Sequence, residues 1–94
     1  LLAGGGHAHV HVLAALAREP RPGAEVLLVT PFARQMYSGM LPGWVAGHYR
    51  EDQIVIPLPA LAWAAGVRLV EGRIAGLDAG ARRATLADGR TLDY

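Results

Sequence analysis

The sequence of 94 residues contains no cysteine and no lysine, so all nine of its basic residues are arginines. Without cysteine, disulfides, thiolate zinc sites and a redox-active cysteine pair are excluded within these residues. Eight acidic residues leave a net charge of +1, and the arginines are scattered along the chain, which makes nucleic acid a poor candidate partner. No apolar run approaches the roughly 20 residues of a membrane span, and no signal peptide is recognisable. These absences favour a cytoplasmic protein.

The composition is that of a folded chain, since 52% of the residues are hydrophobic. Ninety-four residues are enough for one small domain or for part of a larger one. Residues 1–3 and 91–94 both have the character of strand interiors. We therefore expect residues 1–94 to be the N-terminal portion of a domain, cut at both ends.

Three consecutive glycines separate an apolar strand from an apolar helical pattern. A strand that turns abruptly into a helix directs several backbone N–H groups and the positive end of the helix dipole at one point, which favours a pyrophosphate. Gly4 suits the tight turn, and Gly6 lets a phosphate approach the backbone. His9 replaces the third glycine of the G-x-G-x-x-G pattern, so we expect it either to push helix and strand apart or to turn its ring toward a cofactor. A plain structural turn is the alternative.

Secondary structure follows from hydrophobic spacing. Residues 7–18 have helical periodicity and residues 25–30 are a buried strand, which together with the first strand predicts a βαβ unit. Residues 31–47 are irregular, with a short helix at 42–47, and their aromatic and methionine side chains should lie against either the core or a ligand. Further along, we predict an extended segment at 53–56 and a helix at 57–65.

The last third predicts strands rather than helices. A strand at 67–71 is followed by three more, at 73–77, 81–86 and 91–94. Asp88 and Gly89 form a strong hairpin signal between the last two. The order predicts a βαβ unit followed by an antiparallel meander, whereas a plain dinucleotide-binding dehydrogenase continues with alternating strands and helices.

Two segments together resemble a known family. GGGHAHVHVL at 4–13 and YSGMLPGWVAGHY at 37–49 are similar to the N-terminal part of the FAD domain in FAD-dependent pyridine nucleotide-disulfide oxidoreductases. Within that group the sequence resembles the type II NADH dehydrogenase-like branch, and especially the flavoproteins fused to, or encoded beside, selenide, water dikinase. The resemblance implies an α/β fold: the N-terminal βαβ part of a Rossmann-like FAD/NAD(P)-binding domain with a three-stranded antiparallel β-meander insertion.

The resemblance also implies which residues bind FAD. The glycine turn and the start of the helix match the pyrophosphate segment, and residues 37–41 match the loop near the flavin. Thr30 stands where the family usually has an acidic residue for the adenosine ribose, and its hydroxyl cannot form the stronger charge-assisted pair. Ile74 matches a position whose backbone contacts the adenine, and Arg34 could reach a phosphate. The implied cofactor-binding residues are Gly4, Gly5, Gly6, His7, Ala8, His9, Thr30, Pro31, Arg34, Ser38, Gly39, Met40, Leu41 and Ile74.

Neither a metal site nor a catalytic acid or base is assigned. His7 and His11 share a helix face at i, i+4 spacing and could chelate a transition ion. His9 lies on another face, however, and no cysteine or nearby acidic residue completes a ligand shell. We expect the histidines at this helix start to be structural.

The function implied by the resemblance is hydride transfer from NADH or NADPH onto FAD, with electrons passed to a small-molecule acceptor such as a quinone. This segment would supply binding and orientation. Peripheral association of the full-length protein with the inner face of the membrane and a functional link to selenide, water dikinase are implied as well. Two alternatives stay open: a non-catalytic dinucleotide-binding or sensing module, and an NAD-binding Rossmann dehydrogenase. A parallel continuation after Val67 would favour the dehydrogenase, and a meander would oppose it.

Overall fold

Eight strands and four α-helices make up the chain in the computed structural model, which describes residues 1–94. A 3-10 turn, Ser38–Met40, lies between the third strand and the second helix. The elements in chain order are β1 Leu2–Ala3, α1 His7–Arg18, β2 Leu27–Thr30, β3 Arg34–Met36, α2 Leu41–Val45, α3 Glu51–Ile54, β4 Val55–Pro57, α4 Leu58–Ala64, β5 Arg68–Glu71, β6 Ile74–Asp78, β7 Arg83–Leu86 and β8 Thr91–Asp93.

A parallel sheet of order β1-β2-β5 forms the centre of the fold. Leu28 in β2 pairs with Leu2 on one side and with Leu69 on the other. All four residues of β2 are buried, as expected for a parallel strand covered on both faces. The sequence prediction of a βαβ unit is confirmed, with α1 in its predicted place.

The two faces of β2 contribute to two hydrophobic clusters. On one face Leu28 packs with Leu13 of α1 and with Leu58 of α4. On the other face Leu27 and Val29 pack with Leu86 of β7, which attaches the meander to the sheet. The alternation of apolar side chains along β2 therefore joins the helical layer to the antiparallel layer.

The last third is the predicted antiparallel meander, with strand order β6-β7-β8. Gly89 has φ +88°, in the left-handed region that glycine adopts without a steric penalty, so the Asp88-Gly89 turn forms as predicted. The predicted fold class, a βαβ unit followed by a three-stranded meander, is confirmed. None of the helices is long and apolar enough to cross a membrane.

The middle of the chain differs from the prediction. Residues 34–36, expected to be irregular, form β3 and pair with β4 in antiparallel register, with Gln35 opposite Ile56. The extended segment predicted at 53–56 is divided, because residues 51–54 form the helical turn α3 and only Val55–Pro57 is a strand. The Gln53 side chain accepts a 2.8 Å hydrogen bond from the Arg50 N–H, which stabilises the start of that turn.

Candidate functional site: a glycine turn at the carboxyl ends of the parallel strands

The carboxyl ends of all three parallel strands meet at the glycine turn. Gly4 N–H donates to Val29 O at 2.7 Å, and Gly72 N–H donates to Thr30 O at 2.8 Å. These two bonds hold the chain after β1 and the chain after β5 against the end of β2. Helix α1 starts at the same edge. In open α/β folds this edge is where ligands bind.

The turn leaves an open approach to the helix start. Gly4 has φ +95°, which a residue with a side chain rarely adopts. Gly6 is the N-cap of α1, and a Cβ built on it would meet nothing within 4 Å. The first intrahelical bond runs from Val10 N–H to Gly6 O at 3.0 Å, so the N–H groups before Val10 have no partner within the helix. No side chain caps them.

Gly5 has a different role from its neighbours because it faces the core. A Cβ built on it would lie 2.9 Å from Thr30 Oγ1 and would overlap a methyl group of Leu58. The three glycines thus have different roles. Gly4 makes the turn, Gly5 packs against the core, and Gly6 leaves the outer face of the helix start open.

Thr30 is 2% exposed, and its hydroxyl is engaged within the chain. Its Oγ1 donates to Phe32 O at 3.1 Å and accepts from Phe32 N–H at 3.4 Å. This is a local turn motif of the kind that Ser and Thr commonly make. The Thr30 O–H, which was expected to donate to a ribose hydroxyl, therefore already donates to a backbone carbonyl oxygen. Pro31, the next residue, is half-buried.

The His9 side chain folds back onto the glycine turn. Its Nδ1 hydrogen bonds to Gly4 O at 2.5 Å, so the ring lies back over the turn. Helix α1 still packs on the core through Val10 and Leu13. Nothing in the glycine pattern indicated this side-chain hydrogen bond.

His7 links the turn to the loop predicted to pass near a flavin. Its ring lies 5.3 Å from that of Tyr37, centroid to centroid, at 59°. The His7 Nε2 is buried and has no hydrogen-bond partner. Tyr37 O accepts from Met40 N–H at 3.0 Å, which forms the tight bend of the 37–41 loop. Within that loop Ser38 and Gly39 are exposed, and Met40 and Leu41 are half-buried.

The loop aromatics do not lie in the core. Phe32 is 63% exposed, Tyr37 44% and Trp44 40%. Of the two expectations for these side chains, packing into the core is therefore wrong.

The side chains of two further predicted residues, Arg34 and Ile74, contact other parts of the chain. Arg34 Nη2 donates to Glu51 Oε1 at 3.0 Å in an exposed ion pair between β3 and α3. Ile74 opens β6 and packs on the cluster that contains Val29 and Leu86. Gly72, which sequence reasoning passed over, bonds directly to the end of β2. The sequence feature that could have identified Gly72 is its position immediately after a predicted strand.

The partial positive charge at the turn comes from backbone N–H groups at the start of α1 rather than from ionised side chains. Hydrogen bonds from Arg90 and Arg83 lower the pKa values of Asp88 and Asp93, but these carboxylates lie on the exposed meander. No group of three or more His, Cys, Asp or Glu side chains gathers anywhere in the chain. At the turn, the N–H groups that precede Val10 are donors without a partner in the helix and without a side-chain cap.

The largest groove lies away from the turn. It has a volume of about 340 Å³ and is lined by Leu16, Pro20, Val26 and Gly66 among others. These residues lie at the end of α1 and just before β2 and β5, at the amino ends of the strands. The turn itself is an open surface.

Comparison with known proteins gives structural matches but no match by sequence. No protein-family profile matches the sequence, and no curated protein matches it. Among solved structures, the sulfide:quinone oxidoreductase from the hyperthermophilic bacterium Aquifex aeolicus superposes with a TM-score of 0.80 and 19% sequence identity. The chain folds like a segment of that enzyme. The likeness covers 99% of this chain but 21% of that one, so it describes the fold of one portion.

Proposed function

We propose that this chain is the segment of an FAD-dependent oxidoreductase that binds the pyrophosphate of FAD at the glycine turn. The observation that carries the proposal is the open outer face of Gly6 at the N-terminus of α1, where a Cβ would meet nothing within 4 Å. The fold supports it, because this turn lies at the edge of a parallel sheet where dinucleotides bind.

The residues at the turn fit a pyrophosphate. Gly4 and Gly6 provide backbone without side chains, and the free N–H groups at His7, Ala8 and His9 would donate to phosphate oxygens. No acidic side chain lies in the first turn of α1 to repel the anion. The positive end of the helix dipole adds to the attraction.

The remaining contacts of the cofactor follow from the resemblance. Thr30 and Pro31 would lie beside the adenosine ribose, and Ile74 would lie beside the adenine. The loop residues Ser38, Gly39, Met40 and Leu41 would border the flavin, with the contact between His7 and Tyr37 keeping that loop near the turn. Arg34 would reach a phosphate only after exchanging its partner Glu51.

FAD supplies the redox chemistry when bound, accepting a hydride from NADH or NADPH and releasing electrons to an acceptor. We propose a quinone as that acceptor, in line with the quinone in the name of the structurally similar enzyme. The type II NADH dehydrogenase-like branch, a location at the inner face of the membrane, and a link to selenide, water dikinase belong to the same proposal. In this proposal, the role of this chain is to bind FAD and to orient it.

A non-catalytic dinucleotide-binding or sensing module is the second candidate. It is favoured by Thr30, whose hydroxyl is engaged with the Phe32 backbone and which replaces the acidic residue usual in the family. An NAD-binding dehydrogenase is disfavoured by the meander after β5, since such proteins continue with alternating helices and strands.

The experiment is to purify the full-length protein and record its visible spectrum before and after NADH or NADPH is added without oxygen. A flavin spectrum that bleaches on reduction supports the oxidoreductase, and a flavin spectrum that neither nucleotide bleaches supports the sensing module. A colourless protein that binds no FAD on reconstitution contradicts the oxidoreductase. Gly6→Ala is the matched variant, because it blocks the phosphate approach without disturbing the core.

A further inference from the structure

We propose that His9 is a positioning residue, which sets the orientation of the Gly4–Gly5 peptide in the glycine turn. Through that peptide it controls how well the turn receives a phosphate group. The second statement rests on the proposed function, whereas the first concerns this chain alone. In the usual pattern, a glycine at this position allows the helix to pack closely on the strand. Here the side chain of His9 holds the turn by a hydrogen bond instead.

The Gly4 backbone is held from both sides. Its N–H donates to Val29 O at 2.7 Å, and its carbonyl oxygen forms a hydrogen bond with His9 Nδ1 at 2.5 Å. With φ +95°, Gly4 is in a region where glycine has wide freedom, so its conformation needs external restraint. The two bonds tie the turn to β2 on one side and to α1 on the other.

Holding one carbonyl fixes the next N–H group. The peptide bond is planar and trans, so the Gly4 C=O and the Gly5 N–H point in opposite directions. Because the carbonyl points to the His9 ring, the Gly5 N–H points away from it. Because the turn is the proposed phosphate site, rotation of this peptide would reorient both a partial negative charge, the Gly4 carbonyl oxygen, and an N–H donor within that site. The His9 hydrogen bond opposes that rotation.

The hydrogen bond defines the tautomer of His9. A backbone carbonyl oxygen only accepts, so Nδ1 must carry the proton. In the neutral ring Nε2 is then an acceptor. This requirement is specific, since the other neutral tautomer would place two acceptors, Nδ1 and Gly4 O, against each other.

Matched variants separate this role from a general effect on the helix. Asn places its amide nitrogen close to where histidine has Nδ1, so His9→Asn retains the donor, whereas His9→Leu removes it. Leu is the better helix former of the two. A role limited to helix stability therefore predicts that His9→Leu binds FAD better than His9→Asn, and the positioning role predicts the reverse.

The first measurement needs no cofactor. Long-range 1H–15N spectra of the ligand-free full-length protein, at a pH where the ring is neutral, report which nitrogen carries the proton. The His9 signal is identified by its loss in His9→Asn. A proton on Nδ1 supports the proposal. A proton on Nε2 overturns it, whether or not the protein binds FAD.

The second measurement is the FAD dissociation constant of each variant. We expect His9→Asn to stay within about twofold of the parent and His9→Leu to bind about fivefold more weakly, the effect of one lost hydrogen bond. Equal affinities, or tighter binding by His9→Leu, overturn the proposal. If the parent protein binds no FAD, the proposed function fails, while the tautomer measurement still decides the role of His9.

Discussion

Gly5 and Thr30 are packed against each other at the end of β2, so that a Cβ on Gly5 would lie 2.9 Å from Thr30 Oγ1. Leu58 of α4, which is fully buried, closes the same space from the helical layer. The middle glycine of the turn is therefore a core position. A Cβ on its neighbour Gly6 would meet nothing within 4 Å.

Substituting Gly5 by Ala should destabilise the fold. The added methyl group must displace Thr30 or Leu58, and overpacking of this kind costs about 1–3 kcal/mol. Denaturant unfolding followed by circular dichroism measures the change in free energy. An unchanged midpoint would contradict the close packing of Gly5.

Substituting Gly6 by Ala should weaken FAD binding and leave the fold intact. Gly6 has φ −71° and open space around it, so the free energy of unfolding should change by only about 0.5 kcal/mol, the scale of an N-cap preference. The methyl group would stand in the approach to the helix start and reduce FAD affinity by at least about tenfold. Parent-like affinity measured by flavin fluorescence would place the pyrophosphate elsewhere.

Substituting Thr30 by Val should lower stability rather than act through the cofactor. The change keeps the shape but removes both hydrogen bonds to the Phe32 backbone, with an expected loss of about 1–2 kcal/mol. Thr91→Val, on the exposed strand β8, is the matched control and should be nearly neutral. Unchanged stability of Thr30→Val together with weaker FAD binding would show that the hydroxyl serves the ribose instead.

The hairpin between β7 and β8 should depend on the backbone of Gly89. At φ +88° an alanine is strained by about 1–2 kcal/mol, whereas asparagine tolerates this region better. Gly89→Ala should therefore lower the melting temperature more than Gly89→Asn does. Equal melting temperatures would indicate that the turn relaxes to another type.

Acid should weaken the meander through its carboxylates. The hydrogen bond from Arg83 lowers the pKa of Asp93, and bonds from Arg90 lower that of Asp88. A lowered pKa means that the carboxylate stabilises the fold above its ordinary pKa and that this contribution is lost as pH falls through the folded value. Both pairs are exposed, so the effect should be small and should shrink in high salt.

Unfolding midpoints measured between pH 7 and pH 2.5 test this prediction. Asp93→Asn removes the titrating group and should flatten the acid limb of the profile. A variant profile with the same acid slope as the parent would assign the acid sensitivity to other carboxylates.

Much of the fold could be predicted because its signals are local. The apolar spacing of α1, the glycine turn and the Asp88-Gly89 pair each act over a few residues, and the structure has each in place. The strand β3 was missed because it is held by a partner far along the chain. The segment Arg34–Met36 is short and two of its three residues are polar, so its extended form depends on pairing with residues 55–57.

The site was less predictable than the fold. The glycine spacing indicated where an anion would lie, but it did not distinguish the inward Gly5 from the open Gly6. Likewise, nothing in the sequence showed that His9 would bond to Gly4 O or that Thr30 would bond to Phe32. These contacts depend on side-chain directions, which a spacing pattern does not contain.

The sheet order described above also sets an order of folding events. The strands of the meander are neighbours in sequence, so their pairing closes only short loops. The parallel contacts close longer loops, about 26 residues between Leu2 and Leu28 and about 40 residues between Leu28 and Leu69. We expect the meander to form early and the parallel sheet late. The glycine turn, which is fixed only when β1 and β2 are joined, would then be completed after the meander.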